Sequence, residues 1–502
     1  MIVKIKSFGY FGIESFMTEV EVDIAKGLPS FNIVGLGDTA INESKERIRA
    51  GIRNSGYKLE PKKITVNLTP ANIKKVGTHF DLPIALGVME GSGIIKAQNK
   101  IMEEYIFMGE LSLSGEIKRV DGVINGAIIA KENGYKGIVI PYENLKEGTL
   151  IKGIDVVVVK NLKEAVNFIE TEEKIFYEIE EKENIEYDDL DFYDVKGQEK
   201  AKRALEICAS GGHNLLMVGT PGSGKTMLAK RIMSILPPMT EEEKIEVTKL
   251  YSISGELNEK NPVIEKRPFR APHHTSSSTS ITGGGRTPSL GEISLAHRGV
   301  LFLDEIVEFK KDVLESLREP LEEKKISVVR TMYKTEFPAD CIFLCACNPC
   351  LCGYAFEDGD ICTCSAGEIA RYMKKLSGPI LDRIDLKIEI KRLTESELVE
   401  NTQREHSNEI RKRVIKAREI QKERFGNYKL NGNMTRKEIE KYCILNEENK
   451  NIMKMAVKNL NLSARSFDRI LKVARTISDL DDSKEIQKIH LLEALSYRIN
   501  GE

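Results

Sequence analysis

The stretch His213–Thr226, HNLLMVGTPGSGKT, constrains the fold of this chain of 502 residues more than any other segment. An apolar run stops at Gly219, a short loop continues to Gly224, and an amphipathic segment begins at Lys225. The spacing G-x-x-x-x-G-K-T between a strand and a helix is typical of a P-loop. Its glycines let main-chain N–H groups close around phosphate oxygens, and the helix start adds the positive end of its dipole. The sequence therefore predicts a nucleotide-phosphate site on an α/β domain.

The residues of this loop have separate expected roles. Lys225 is expected to reach the β- and γ-phosphates of a nucleoside triphosphate, and Thr226 to give its hydroxyl to a magnesium ion. Main-chain contacts to the phosphates are expected from the loop itself, which consists of Gly219, Thr220, Pro221, Gly222, Ser223 and Gly224.

A second segment, Gly299–Glu305 (GVLFLDE), places two carboxylates at the end of an apolar run. Such a run is typical of a strand buried on both faces. Two adjacent acids after a strand are consistent with a simple turn. After a P-loop, however, Asp304 is expected to hold magnesium through its hydration shell, and Glu305 to orient and polarise the attacking water.

Two further polar residues stand at predicted strand ends. The apolar run Cys341–Cys347 leads into Asn348, whose amide is expected to bind the γ-phosphate or the attacking water, although an Asn-Pro pair alone favours a turn. Arg383 comes just before a predicted strand, Leu386–Ile390. A cation there reaches a neighbouring subunit's phosphate more easily than its own, so Arg383 is a candidate arginine finger in trans. A surface ion pair is the alternative.

The chain length predicts about three domains. Residues 1–168 alternate apolar and polar side chains, as at Val20 and Val22, and contain helical stretches near Glu43–Asn54 and Gly122–Asn133, which predicts an α/β or α+β domain. Residues 170–191 hold eleven acids against two lysines. We therefore expect a solvated linker over 169–191, with an exposed acidic helix as the alternative. An ATPase core over 192–392 and a small helical lid over 393–502 complete the prediction.

Charge and hydropathy exclude some classes of partner. Lys plus Arg (75) nearly equals Asp plus Glu (77), so any nucleic-acid surface must be local. No apolar run approaches the roughly 18 residues that a membrane span needs, and the start MIVKIKSFGY lacks a signal core. We expect a cytoplasmic protein without a membrane partner.

Nine cysteines are present, seven of them between Cys341 and Cys364. Two C-x-C pairs, separated by nine residues, offer four thiols to a possible structural zinc ion, although typical zinc sites use wider pair spacing. A zinc site and unligated reduced thiols both stay open for this set, which comprises Cys350, Cys352, Cys362 and Cys364. His273 and His274 are adjacent, so we expect their side chains to diverge and to have structural or loop-polar roles.

Several longer segments resemble AAA+ ATPases of the magnesium-chelatase-like ComM/YifB family. The resemblance covers essentially the whole chain and is carried by DVKGQEKAKRALEICASGGHNLLMVGTPGSGKTMLAKRI, RPFRAPHHTSSSTSITGGGRTPSLGEISLAHRGVLFLDE, LREPLEEKKISVVR, SGPILDRIDL and LNLSARSFDRILKVARTISDL. It implies the roles given above for Lys225, Thr226, Asp304, Glu305, Asn348 and Arg383. The lid sequence SARSFDRILKVAR leaves Arg465 and Arg469 open as the residue that extends over the nucleotide, and the resemblance implies Arg465. The resemblance also implies a homo-hexameric ring with ATP and Mg²⁺ at each subunit junction.

The same resemblance implies inserted loops in the core, at about 255–295 and in a hairpin around Ile326–Lys334. Cations gather near this hairpin, at Lys324, Lys325, Arg330 and Lys334. In the pore of a ring they would neutralise phosphates without reading bases, which favours sequence-tolerant binding of branched or single-stranded DNA. A solvated basic hairpin is the alternative.

The N-terminal domain looks like the Lon-protease (S5-like) fold, especially over GELSLSGEIKRVDGVINGAIIAKENGYKGIVIP. A Lon-type site needs a serine nucleophile and a lysine base. The region aligned with the serine reads VGTHFDLP, and the region aligned with the lysine reads GVIN, so neither residue is present. Thr78 is a conceivable substitute nucleophile without an evident base. We expect a non-proteolytic scaffold or DNA-binding platform.

Three functions follow in order of preference. The first is an ATP-hydrolysing DNA motor, a helicase or branch-migration factor in recombination or natural transformation, as the family resemblance implies. The second is a chelatase-type ATPase that remodels a protein partner. The third, an ATP-dependent protease, is weakened by the missing dyad.

Overall fold

The computed structural model describes residues 2–97, 100–177, 190–285, 289–330, 333–357, 361–376, 378–392 and 404–499. The chain forms two compact units. The first comprises Met1–Glu183, Thr240–Glu265 and Val328–Glu336, and the second comprises Asn184–Met239, Lys266–Ser327 and Phe337–Glu502.

The first unit is built on a mixed sheet of seven strands in the order β3-β4-β2-β1-β5-β8-β9. β1 pairs antiparallel with β2, and β2 with β4, while the other neighbours run parallel. A short pair, β6 and β7, lies apart from it. The strands are β1 Ile2–Phe11, β2 Glu14–Ala25, β3 Ser30–Val34, β4 Lys63–Thr69, β5 Tyr105–Phe107, β6 Glu110–Leu111, β7 Ile117–Lys118, β8 Gly137–Pro141 and β9 Asp155–Val159.

Helices cover this sheet, and the predicted alternation is confirmed: Val20 and Val22 on β2, and Val66 on β4, are fully buried. The helix predicted near Glu43–Asn54 begins earlier, because Asp38 caps it by accepting from the N–H of Ile41. The helices are Thr39–Asn54, Asp81–Gly91, Ile101–Glu104, Val123–Glu132, Leu145–Gly148, Leu162–Thr171 and Glu241–Ser254.

The last of these helices joins the first unit although the chain reaches it only after the P-loop. Ser252 donates to the carboxylate of Glu147, which is fully buried, and accepts from the N–H of Gly122 at 2.7 Å. Burial raises the pKa of Glu147. These buried hydrogen bonds attach Thr240–Glu265 to the rest of the first unit.

The second unit contains a parallel sheet of five strands in the order β11-β12-β15-β10-β16, which confirms the predicted α/β core. Every residue of β10, β12 and β15 is buried, as expected for strands covered on both faces. β13 and β14 form a separate hairpin, of which Val328–Glu336 belong to the first unit. The strands are β10 Leu215–Gly219, β11 Phe269–Arg270, β12 Val300–Leu303, β13 Lys325–Arg330, β14 Tyr333–Pro338, β15 Ile342–Cys347 and β16 Leu386–Ile390.

Helices complete this unit and supply the predicted helical lid. In the lid helix Ala464–Leu480, Ile470, Leu471, Ala474 and Ile477 are buried in the core of the unit, as their spacing predicted. The helices are Glu199–Gly211, Lys225–Ile235, Ser278–Thr282, Glu292–Leu295, Lys311–Ser316, Arg318–Glu323, Ala366–Met373, Gly378–Leu381, Ser407–Phe425, Arg436–Tyr442, Glu447–Asn459, Ala464–Leu480 and Lys488–Ile499.

The sequence predicted domain boundaries at 168, 191 and 392, and part of the chain near these boundaries is not described by the structure. Most of the acidic linker, 178–189, and the first lid residues, 393–403, lie outside the described ranges. The boundaries therefore stay a prediction. Within those ranges, no helix has the combination of length and hydropathy needed to cross a bilayer.

Candidate active site

Parallel pairing brings the sequence-predicted polar residues to one edge of the second sheet. β10 lies between β15 and β16, and β12 lies on the far side of β15. The P-loop follows β10, Asp304 follows β12, and Asn348 follows β15. Because these strands run in the same direction, their carboxyl ends meet at one edge, where open α/β sheets bind ligands.

The P-loop has the backbone that phosphate binding requires. Gly222 and Gly224 have φ values of 77° and 88°, which L side chains rarely adopt. The hydroxyls of Thr220 and Ser223 are buried without a hydrogen-bond partner among the described protein atoms. A buried polar group without a partner is costly, so these two hydroxyls fit a site completed by an oxyanion.

Lys225 is folded back into this loop. Its Nζ donates to the carbonyl oxygens of Gly219 (2.7 Å) and Thr220 (2.9 Å), and to Oδ1 of Asn348 (3.2 Å). Burial lowers the pKa of Lys225, although the nearby carboxylate of Asp304 opposes that shift. The ammonium is therefore held by neutral oxygens, which an anionic phosphate would replace at a gain in free energy.

Thr226 and Asp304 are in direct contact beside the P-loop. The hydroxyl of Thr226 donates to Oδ2 of Asp304 at 2.5 Å, while Oδ1 of Asp304 accepts from the N–H of Glu305 at 2.9 Å. A hydroxyl and a carboxylate are hard oxygen ligands of the kind that Mg²⁺ binds, directly or through water. These two residues therefore fit the predicted ion.

Glu305 projects from a strained turn beside a histidine. Its φ is 50°, in the left-handed region, and its side chain is more than half exposed. Nδ1 of His274 lies 3.6 Å from Oε2 of Glu305. The sequence did not predict this contact, because His274 is 31 positions from Glu305 and comes just after β11.

The expected divergence of His273 and His274 is wrong. Their rings lie side by side, with centroids 4.1 Å apart and planes tilted by 35°, because the chain after β11 is irregular and does not alternate side chains. Nδ1 of His273 lies 2.9 Å from the hydroxyl of Thr275. His273 therefore has the loop-polar role that was predicted, whereas His274 faces the candidate water-activating carboxylate.

Arg383 lies at the opposite edge of the sheet. β16 is parallel to β10 with Leu386 opposite Leu215, so the residues before β16 stand at the amino edge, away from the P-loop. Arg383 is buried and pairs with Glu322. The main-chain oxygen of Arg383 accepts from Nδ2 of Asn214 at 2.8 Å, an anchor that sequence reasoning did not identify.

Arg465 lies near Arg383, at the edge of the sheet opposite the P-loop. Its guanidinium lies 3.2 Å from Oε1 of Glu322, the carboxylate that also pairs with Arg383. Both arginines line a cleft of about 460 Å³ together with Arg469. Nucleotide contact by Arg465 stays a prediction from sequence.

The basic hairpin is present as β13 and β14. Nζ of Lys324 lies 3.7 Å from Asp340, so this cation is already paired at the hairpin base. Lys325 also has interactions within the chain. The side chains of Arg330 and Lys334 lie outside the described part, and their contribution stays a prediction from sequence.

The positions that align with a Lon-type dyad have structural roles. His79 is fully buried with Nε2 2.9 Å from the carbonyl of Phe8, and burial lowers its pKa to about 4. Nδ2 of Asn125 donates to Ser15 at 3.1 Å. Thr78 begins a short 3₁₀ turn. That this domain is non-proteolytic stays a prediction from sequence.

Three family models match this chain. The model described as magnesium chelatase, subunit ChlI, matches residues 191–398. The one described as subunit ChlI of Mg-chelatase matches residues 20–144, and the ChlI C-terminal model matches residues 404–498. Together they account for most of the chain.

Some known proteins are similar to this chain over nearly its full length, and another is similar over about a third of it. Competence protein ComM of Haemophilus influenzae is 41% identical over 97% of this chain and 95% of its own. Uncharacterized protein YifB of Escherichia coli is 41% identical with the same coverage of both chains. Lon protease 2 of Bacillus subtilis is 31% identical over 32% of this chain and 31% of its own.

Proposed function

The chain belongs to the ComM/YifB family of magnesium-chelatase-like AAA+ proteins, and from this premise we propose that it hydrolyses ATP as a ring-shaped motor on DNA. The observation that carries the proposal is the convergence of Lys225, Thr226, Asp304, Glu305 and Asn348 at one sheet edge. A P-loop that only bound nucleotide would not need an exposed carboxylate beside the magnesium ligands.

Each side chain has one task in this reaction. Lys225 would exchange its carbonyl partners for the β- and γ-phosphate oxygens, while Asn348, its present partner, would bind the γ-phosphate or the attacking water. Thr226 and Asp304 would hold Mg²⁺, which neutralises phosphate charge when bound. Glu305 would orient and polarise water for attack on the γ-phosphorus.

A ring would supply a second cation to the phosphates, in addition to Lys225. Arg383 stands at the other edge of the same sheet, so it reaches a phosphate only when a second copy presents its P-loop there. Arg465 would accompany it, because both guanidiniums contact Glu322. We propose a homo-hexamer with ATP at each junction.

DNA as the substrate is supported by the relative named a competence protein, since competence is the uptake of DNA, and by the cations of the hairpin. Lys324 contributes little because Asp340 neutralises it. We therefore assign the phosphate contacts to Arg330 and Lys334. Contacts of this kind are sequence-tolerant and weaken steeply with salt.

ATP turnover measured across single-stranded, forked and four-way DNA tests the proposal. We expect stimulation by at least one structure at low salt, unwinding or branch migration of that structure, and loss of turnover in Glu305→Gln with ATP binding retained. An Arg330→Ala/Lys334→Ala double variant should keep basal turnover and lose stimulation. Lys412→Ala, an exposed lysine of the helix Ser407–Phe425, is the matched control.

Other results would assign another activity. Turnover that no DNA changes, together with ATP-dependent capture of a protein partner, would replace the motor with a chelatase-type remodeller. Cleavage of an unfolded protein such as casein would revive the protease. If the protein with Lys225 intact does not bind Mg-ATP, the motor, the remodeller and the ATP-dependent protease are all excluded.

A further inference from the structure

The four thiols of the two C-x-C pairs converge in space. One Sγ from each of Cys350, Cys352, Cys362 and Cys364 lies within 4.8 Å of all the others. Sγ of Cys350 is 3.3 Å from that of Cys352 and 3.8 Å from that of Cys362, and the latter two are 3.6 Å apart. These separations are far longer than a disulfide bond of about 2.05 Å.

The distances across the loop are close to the edges of a metal tetrahedron. A tetrahedral zinc ion with Zn–S bonds of about 2.3 Å places its sulfurs about 3.8 Å apart. Sγ of Cys362 reaches this spacing to Cys350, twelve positions away, and nearly so to Cys352, ten positions away, whereas the 3.3 Å between Cys350 and Cys352 is shorter. The sequence alone did not decide between a zinc site and unligated thiols, because the spacing within each C-x-C pair is narrow. The sulfur positions show that this spacing is compatible with four-sulfur coordination.

Main-chain groups support the sulfurs in the way that thiolate ligands require. N–H groups of Tyr354 and Thr363 hydrogen-bond to the sulfur of Cys352. The sulfur of Cys364 is hydrogen-bonded by the main chain of Cys352, and that of Cys362 by the main chain of Cys364. Such outer contacts orient metal ligands and stabilise their charge.

Some apolar side chains in the described part of this segment face solvent. Leu351 and Ile361 are 71% and 55% exposed, so these two do not pack into a core. Turns are closed by the N–H of Gly353 on the carbonyl of Cys350 and by the N–H of Glu357 on the carbonyl of Tyr354. Metal binding commonly replaces a hydrophobic core in segments of this kind.

Its position links the segment to the candidate active site. Cys350 follows Asn348 by two residues, and a Cβ at Gly353 would lie 2.7 Å from the ring of Pro221 in the P-loop. At the other end, Ser365 caps the helix Ala366–Met373 directly after Cys364. The cluster therefore fixes the chain between the end of β15 and this helix, against the P-loop.

We propose that Cys350, Cys352, Cys362 and Cys364 bind one structural zinc ion, which holds this segment against the P-loop and so sets the position of Asn348. Unlike the proposed ATPase activity, the metal site is tested without nucleotide. Failure of one therefore does not imply failure of the other.

The experiment measures metal and thiols in the full-length protein, purified under reducing conditions without chelator. We expect about one zinc per chain by elemental analysis. Titration with a mercurial reagent should release that zinc to a colorimetric chelator as the four cluster thiols react. Less than about a tenth of a zinc per chain with reactive thiols, or iron or disulfides in its place, would overturn the proposal.

Variants localise the ion. Cys362→Ser/Cys364→Ser should lower the zinc content at least fivefold, whereas Cys443→Ala, a buried cysteine of the lid, should leave it unchanged. If the double variant does not fold, substitution of the intact protein with cobalt provides the second measurement. The visible absorption of tetrahedral thiolate-bound cobalt supports the site, and an octahedral spectrum contradicts it.

Discussion

His274 holds Nδ1 3.6 Å from Oε2 of Glu305, the carboxylate proposed to polarise the attacking water. Glu305 has a left-handed backbone and an exposed side chain, so its own turn does not fix its direction. The imidazole belongs to the loop after β11, the strand that pairs with β12, and Glu305 comes shortly after β12. We infer that His274 positions Glu305.

Substitution of His274 by alanine is expected to lower kcat for ATP about tenfold, equivalent to about 1.4 kcal/mol of activation free energy. KM should change much less, because the described contacts of His274 are with Glu305, His273 and Phe309 and not with the P-loop. Steady-state ATPase kinetics measure both constants. His273→Ala, which removes the neighbouring ring, is the matched control, and equal losses in the two variants would contradict a specific role.

Arg383 is predicted to act in trans, and mixed rings test this directly. Lys225→Ala and Arg383→Ala should each abolish turnover alone. Mixed before assembly, they should recover part of the activity, because the intact Arg383 of one variant faces the intact P-loop of the other. ATP turnover against mixing ratio is the measurement.

The control for that experiment is a Lys225→Ala/Arg383→Ala double variant mixed with Arg383→Ala, which offers no competent junction and should stay inactive. If the single variants fail to complement while size-exclusion chromatography shows that they co-assemble, Arg383 works within its own subunit or only stabilises Glu322.

The convergence of the candidate catalytic residues was predictable from sequence because local rules determine it. Glycine spacing fixes the P-loop, and buried apolar runs fix β10, β12 and β15. Parallel strands then bring Lys225, Asp304 and Asn348 together without further information. The lid helix Ala464–Leu480 was predictable for the same reason, since its apolar spacing alone specifies the buried face.

Contacts between distant segments were not predictable. His274 reaches Glu305 from an irregular loop, and Glu322 pairs with both Arg383 and Arg465 across more than 60 positions. Nothing in the pattern of the helix Glu241–Ser254 indicates that it joins the first unit through Ser252. The cysteine cluster was undecided because sequence spacing does not give the distances between sulfurs.

Burial of Lys225 predicts that nucleotide affinity depends on pH in the alkaline range. Burial lowers the pKa of Lys225 from its ordinary value, so the charged form that binds phosphate is lost at a lower pH than for an exposed lysine. Affinity should be full below that lowered pKa and should fall as the pH rises through it. The dissociation constant for Mg-ATP, measured from about pH 7.5 to about pH 10, should therefore increase.

Lys225→Arg provides the comparison, because a guanidinium stays charged over this range. Its affinity is expected to be lower throughout and nearly independent of pH. Parallel pH dependences for the two proteins would show that another group controls binding.

The lid is predicted to depend on one buried carboxylate. Asp479 is 1% exposed and accepts from Arg424 at 2.7 Å, from Arg475 at 3.1 Å and from Asn431 at 2.8 Å. Asp479→Asn leaves two guanidiniums facing a neutral amide, which should lower the free energy of unfolding by about 3–5 kcal/mol in urea denaturation.

Asp482→Asn is the matched control for this substitution. Asp482 pairs with Lys416 at 2.8 Å, but its side chain is 63% exposed, and Asn tolerates its left-handed backbone. Exposed pairs of this kind contribute little, so the control should unfold at nearly the urea concentration of the unmodified protein. Since Asp479 connects the lid helix Ala464–Leu480 to Ser407–Phe425, its loss should also reduce ATP turnover before global unfolding. Equal stability of the two variants would mean that apolar packing alone holds the lid.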